Sequence, residues 1–248
     1  MKITTLLENK TTCDALRCEH GLSLYIETAK HKILFDSGAS DAFWENAKAL
    51  GIDLAQVDIA FLSHAHNDHC GGLLTFLRGN RTAKVYLQKE AFGDYYVVTP
   101  TKCAFIGLDP KLHEYADRFV MAEGVTKLDE EYPRDAFRHE QDLLVTEHGK
   151  TVLFAGCAHS GIINIINRAE DILGRAPDYV FAGFHLYNPS LGQSEPRALV
   201  DAVGERLCAR KATRYVTGHC TGDDAYAWLH ETLGDRLAYM ATGTTFTI

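Results

Sequence analysis

Val57-Asp58-Ile59-Ala60-Phe61-Leu62-Ser63-His64-Ala65-His66-Asn67-Asp68-His69-Cys70-Gly71-Gly72 is the segment on which the reading of this chain turns. Its first six residues are an almost unbroken apolar run, as expected of a buried strand. Three imidazoles and a carboxylate follow at once, in the spacing H-x-H-x-D-H. In extended backbone, residues i and i+2 project to the same side, so His64 and His66 can converge on one ion. The turn that follows can swing Asp68 and His69 toward a second. Imidazole and carboxylate are donors that Zn²⁺ and similar first-row divalent ions accept. Chance would place this pattern in about two of every thousand chains of such composition.

Three more histidines share one local context, a strand end at a Gly-containing turn: His159 in FAGCAHSG, His185 in FAGFHLYN and His219 in VTGHCTG. Loops at strand ends are where a rigid scaffold assembles a site, so all three are candidates beside the main motif. His20, His31, His113, His139, His148 and His230 lie in polar or loop contexts and read as surface or packing residues.

Outward from these motifs, Lys2–Leu7, Leu22–Thr28, Lys32–Phe35, Leu143–Thr146, Thr151–Ala155, Tyr179–Phe184 and Tyr215–Thr217 read as strands, with a closing strand pair at Arg236–Ala241 and Thr244–Ile248. Helices are expected over Ser37–Leu50, Ile162–Leu173, Glu195–Arg210 and Asp223–Leu233. Together they predict a single α/β domain over residues 1–248, with sheets packed in the middle and helices outside. Residues 90–141 form an irregular insertion, read either as cover for the site or as an extra surface layer.

With 25 Lys+Arg against 33 Asp+Glu and a net charge of −8, the chain offers no bulk positive charge for nucleic acid. No apolar run approaches the ~20 residues of a membrane helix, and MKITTLLENK lacks the layout of a signal peptide. Seven cysteines, an odd number with no CxxC pair, read as reduced thiols and hence a cytoplasmic protein. The sequence says nothing of oligomeric state. It has no G-x-S-x-G elbow, P-loop or G-x-G-x-x-G fingerprint.

On H-x-H-x-D-H, the Asp36-Ser37-Gly38 turn, GCAHSGI, GFHL and HCTG, the chain resembles the metallo-β-lactamase-fold superfamily over nearly its whole length. It is similar to a subfamily of small metal-dependent hydrolases that includes archaeal dihydropterin–ribofuranosylaminobenzene phosphate synthases. The resemblance implies an αββα sandwich, two central, mostly antiparallel sheets flanked by helices, and two divalent ions, Zn first, with Fe or Mn as alternatives. The first ion would take His64, His66 and His159, and the second Asp68, His69 and His219. Asp36 matches an acid that steadies the ligand loop. Many relatives place a bridging Asp where this chain has Gly183-Phe184-His185, so His185 stands nearest that role, as a ligand or a substrate contact. Some members use a cysteine ligand, which leaves Cys157 open between that role and a buried structural thiol.

Without a bridging carboxylate, two divalent ions, Asp68 and a hydroxide sum to a formal charge of about +2. That favours anionic substrates. The leading expectation is a hydrolase using a metal-bound hydroxide on a small phosphate ester or other activated ester, with Asp68 and His185 as catalytic residues. Ser160, Gly161 and Thr221, each just before a helix, are candidate anion-binding positions. Lys102, Lys111 and Arg197 are further candidate contacts. Two alternatives stand beside it: a pterin-pathway-like synthase releasing pyrophosphate, and a non-catalytic metal-binding sensor.

Overall fold

Lys2–Leu7 (β1) is buried at every residue but its first, because it is paired on both sides. Ser23–Glu27 (β2) lies antiparallel to it on one side, and Thr245–Thr247 (β16), the last strand of the chain, on the other. Lys32–Phe35 (β3) completes a hairpin with β2. From there the direction changes. Ile59–Phe61 (β4), Lys84–Gln88 (β5) and Phe119–Ala122 (β8) join parallel to β3, giving a seven-stranded sheet ordered β16-β1-β2-β3-β4-β5-β8. The computed structural model describes residues 1–99, 102–122, 138–189 and 191–248. They divide into two compact units, Met1–Gln141 with Ala241–Ile248, and Asp142–Met240.

In the first unit, helix Ala42–Ala49 (α1) connects β3 to β4, and Asn67–Cys70 (α2) with Leu73–Gly79 (α3) connects β4 to β5. The buried Asn46 of α1 donates to the carbonyls of Leu6 and Arg17, at 2.8 Å each, and accepts from Arg17 N–H. Phe35 and Phe61, register partners on β3 and β4, stack at 5.5 Å just before the chain enters the Asp36 and His64 loops. The 90–141 region holds more order than its composition suggests. Tyr96–Thr99 (β6) and Lys102–Phe105 (β7) form a hairpin, and β8 is a true edge strand of the sheet. Residues 100–101 and 123–137 of that insertion lie outside the described residues.

Arg118, just ahead of β8, is 8% exposed. Its guanidinium donates to the carbonyls of Leu77, Asn80 and Ala83 and to Asn80 Oδ1, at 2.6–3.3 Å. Asn80 uses its amide in turn on the carbonyls of Leu54 and Val57. The pair ties the end of α3 to the start of β5.

The second unit carries a five-stranded sheet ordered β15-β14-β11-β10-β9, from Leu143–Glu147 (β9), Lys150–Phe154 (β10), Tyr179–Ala182 (β11), Arg214–Thr217 (β14) and Leu237–Tyr239 (β15). Only β9 runs antiparallel to its neighbour. Ile162–Leu173 (α4) follows β10 and buries Ile162, Ile165, Ile166 and Ala169, one face at helical spacing. It stops at Gly174, whose φ of 69° suits a left-handed C-cap. A small ribbon, Tyr187–Asn188 (β12) with Gln193–Ser194 (β13), precedes Arg197–Cys208 (α5), which starts after Pro196. Asp223–Leu233 (α6) packs Leu229 against Gly204 of α5.

Two expectations are corrected here. The sheets are not mostly antiparallel, because six of the ten pairings in the two sheets are parallel. Crossover segments, helical in five of the six cases, return the chain to the same end each time. The last two strands do not pair with each other: β15 joins β14, and β16 joins β1.

Asp178 closes the β10–β11 connection, accepting from Thr151 N–H, Lys150 Nζ and Arg175 at 2.9 Å each. Burial pushes its carboxyl up, yet these hydrogen bonds outweigh that and hold it at about 2, below the ordinary 3.8. A depressed acid stabilises the fold fully above its ordinary pKa, and that contribution fades as pH falls toward the folded value. The stability difference between wild type and Asp178→Asn, followed by urea unfolding, should therefore be constant above about pH 5 and shrink between about pH 4 and pH 2. A difference that is flat across that range would show that Asp178 does not titrate there.

Candidate metal centre

The ligand loop is shaped by the turn that follows β3. Asp36 sits at φ 57°, a left-handed conformation that Asp tolerates better than most residues. Its N–H reaches Phe61 O at 2.9 Å, and both Ser37 N–H and Ser37 Oγ donate to His69 O. Leu22 N–H holds Asp68 O at 3.1 Å. Gly71 and Gly72 allow this closeness, since a Cβ on either would collide with the carbonyls of Ala39 and Ser37 respectively.

Proton positions follow from the hydrogen bonds. The buried Asp36 carboxylate accepts from Ser63 N–H at 2.7 Å, Ser63 Oγ at 2.6 Å and His69 Nδ1 at 2.7 Å. Ser63 has spent its only hydroxyl proton on Asp36, so at 2.9 Å it accepts from His64 Nδ1. His64 and His69 therefore both carry their proton on Nδ1 and present the Nε2 lone pair, the form in which a histidine ligates. Donor atoms of His64, His66 and Asp68 lie within 4.8 Å of one another. This fits a divalent ion: neutral imidazoles, one carboxylate, and an orienting partner already in place behind His64 and His69.

Two histidines read from sequence as ordinary residues lie beside this cluster. His139, 1% exposed, accepts Ala65 N–H at 2.8 Å and so fixes the backbone between His64 and His66. Its ring also lies 5.1 Å from that of His66 and 4.0 Å from that of Tyr95. The half-exposed His20 places Nε2 3.3 Å from Asp68 Oδ2. Neither has a sequence signal, because their partners lie 74 and 48 positions away in the chain.

The second unit presents its candidates from three adjacent parallel strands. His159 follows β10, His185 follows β11 and His219 follows β14, all at carboxyl ends, where open α/β sheets bind ligands. Ala158, His185 and His219 have φ of 51°, 52° and 51°. Such non-glycine residues cost of order 1–3 kcal/mol each and gather at functional sites. The loops are laced together: Gly183 N–H to Gly156 O at 2.8 Å, Leu186 N–H to Cys220 O at 3.0 Å. The rings of His159 and His185 are 4.4 Å apart. Cys157, His185 and Cys220 bring their donor atoms within 4.8 Å of one another. Burial pushes the Cys220 thiol up, but hydrogen bonds from Cys157 and His185 and the nearby His219 hold it well below its ordinary value.

Four of the candidate anion contacts have the following surroundings. Thr217 Oγ1 donates to Ala182 O, so the buried Thr221 hydroxyl donates to Thr217 while accepting Phe184 N–H. Thr221 N–H goes to Gly218 O, which leaves Thr221 a brace of the frame. Gly161 gives its N–H to Ala158 O and is itself the residue preceding α4, and Ser160 is exposed and does not cap that helix. Arg197 is committed to Asp201 and Glu231, at 2.8 and 2.6 Å, and lies over the Trp228 ring.

A family model described as the metallo-beta-lactamase superfamily matches residues 16–185. The 7,8-dihydropterin-6-methyl-4-(beta-D-ribofuranosyl)-aminobenzene-5'-phosphate synthase of Methanocaldococcus jannaschii is 26% identical, over 90% of this chain and 88% of its own length. An uncharacterized protein of the same archaeon, MJ0448, is 28% identical over 75% of this chain and 80% of its own. The crystal structure of Tm1679, a metal-dependent hydrolase of the beta-lactamase superfamily, aligns with a TM-score of 0.80 at 24% identity, covering 100% of this chain and 99% of that one. Together with the H-x-H-x-D-H loop and its Asp36 support, these matches place the chain in the metallo-β-lactamase superfamily.

Proposed function

We propose that this protein is a metal-dependent hydrolase of small anionic substrates, a phosphate ester or another activated ester. The observation that carries the reading is the convergence of His64, His66 and Asp68, with Ser63 and Asp36 fixing the tautomers of His64 and His69. We take the ligand sets from the superfamily pattern: His64, His66 and His159 for one ion, and Asp68, His69 and His219 for the other. Zn²⁺ is the first choice, with Fe or Mn as alternatives. Bound divalent ions supply water that ionises near neutral pH and a charge that polarises the substrate oxygen.

The chain's own residues do the rest. Asp68 accepts a hydrogen bond from the attacking water and orients it, with His20 Nε2 beside Asp68 Oδ2. His185 stands nearest the position where many relatives place a bridging Asp; a neutral imidazole there, as ligand or substrate contact, would leave the centre one unit more positive and favour an anion. The proposed compartment is the cytoplasm, supported by the odd number of cysteines. No helix among the described residues is long and apolar enough to cross a membrane.

A panel of phosphoesters, diphosphates and lactones, run on protein of measured metal content, tests the reading. Hydrolysis of at least one anionic member is expected, abolished by a chelator and restored by Zn²⁺, Mn²⁺ or Fe²⁺. His66→Ala should lower it by more than the roughly 10–100-fold typical of outer partners of a metal site. A metal-loaded protein inert across the panel would count against hydrolysis. The relative at 26% identity favours group transfer as the second reading. Pyrophosphate release from a dihydropterin diphosphate, only with an aminobenzene ribofuranoside phosphate present, would establish that alternative.

A further inference from the structure

Two of the seven cysteines are not dispersed packing residues. Cys157 and Cys220, both buried, meet His185 so that Cys157 Sγ, Cys220 Sγ and a ring nitrogen of His185 lie within 4.8 Å of one another. Each comes from the carboxyl end of a different strand, β10, β14 and β11. The cluster is therefore built by the sheet and does not arise from neighbours along the chain. Cys220 Sγ also lies 3.6 Å from Cys157 O. Gly183 makes the space: a Cβ there would stand 2.5 Å from Cys220 Sγ. His185 is exposed, so the cluster has one side open to solvent.

Ligand atoms on a tetrahedral zinc ion, at about 2.3 Å for sulfur and 2.0–2.1 Å for nitrogen, stand roughly 3.3–3.8 Å from each other. Donors already within 4.8 Å reach that spacing by side-chain movements of about 1 Å.

We propose that Cys157, His185 and Cys220 form a thiolate-rich cation site that takes Zn²⁺ in preference to Mn²⁺ or Fe²⁺, with its fourth position open to solvent or a substrate atom. Two sulfurs and one imidazole are softer donors than the imidazole–carboxylate set of the ligand loop, and softness selects zinc over manganese. On binding, both thiols lose their protons to the buffer and two metal–sulfur bonds form, with no change of oxidation state. The site shares His185 with the proposed function, and Cys157 also lies within 4.8 Å of donor atoms of His159 and His219, so the thiolate of Cys220 is the ligand that belongs to this inference alone.

Anaerobic titration of the full-length, reduced, metal-free protein with Co²⁺ tests it. Thiolate ligation gives an intense near-ultraviolet charge-transfer absorption, whereas imidazole and carboxylate ligands give only weak visible bands. Wild type should show the intense band and lose it on addition of Zn²⁺. Cys157→Ser and Cys220→Ser should each weaken it, the double substitution should remove it, and His66→Ala should retain it. Should the serine variants fail to fold, X-ray absorption on zinc-loaded wild type decides: scattering from sulfur at about 2.3 Å is expected. Three results would each overturn the proposal: no charge-transfer band from wild type with titratable thiols, a band surviving the double substitution, or a zinc shell of nitrogen and oxygen alone. Recovery of Cys157 and Cys220 as a disulfide from reducing buffer would overturn it as well.

Discussion

Asp36→Ala should cost about 3–5 kcal/mol of folding stability, among the largest losses available to a single substitution in this chain. The carboxylate collects three donors in a buried site: Ser63 N–H, Ser63 Oγ–H and His69 Nδ1–H. Alanine leaves all three without an acceptor, and it must also occupy a backbone at φ 57° that suits it poorly. Asp36→Asn separates structure from metal chemistry. It keeps the shape and tolerates the backbone, but its amide nitrogen cannot accept from all three groups, so His64 or His69 loses its fixed tautomer. Metal affinity of Asp36→Asn, measured by competition with a chelating indicator, should fall roughly 10–100-fold, with a smaller loss of stability than alanine causes. Wild-type affinity in Asp36→Asn would refute the orienting role.

Arg118→Ala is expected to destabilise by a similar amount, about 3–5 kcal/mol, with no effect on metal binding. The guanidinium satisfies the carbonyls of Leu77, Asn80 and Ala83 together with Asn80 Oδ1, and water does not reach most of that site. Arg118→Lys should recover only part of the loss, because an ammonium lacks the planar fork that spans these acceptors. Urea midpoints at unchanged m-value measure both variants. A loss below about 1 kcal/mol for Arg118→Ala would mean the acceptors find other partners.

These two residues also mark the boundary of what the sequence discloses. The ligand loop was legible because His64, His66, Asp68 and His69 are contiguous, and extended backbone alone sets their directions. The strand-end positions of His159, His185 and His219 were legible for the same local reason. Arg118 looks like any surface cation until Asn80 and Ala83, 38 and 35 positions earlier, close around it. His139 is equally silent, since its partner Ala65 lies 74 residues away. Strand direction was missed although a hint existed. The runs Val57–Leu62 and Tyr179–Phe184 are apolar on both faces, the signature of strands covered on both sides by crossovers, and such strands pair parallel. The meeting of Cys157 with Cys220 was not legible, because the fold brings them together and spacing does not.

The left-handed bends at Asp36, Ala158, His185 and His219 set a limit on how far this protein can be hardened. A glycine would relax each bend, yet at three of them it would delete a side chain on which the chemistry is proposed to rest. Ala158 carries none, and neither does His148, the fifth such bend among the described residues, between β9 and β10. Heat tolerance and turnover therefore compete for the same few backbone positions, and a lineage moving to a warmer habitat has to find its extra stability elsewhere in the frame.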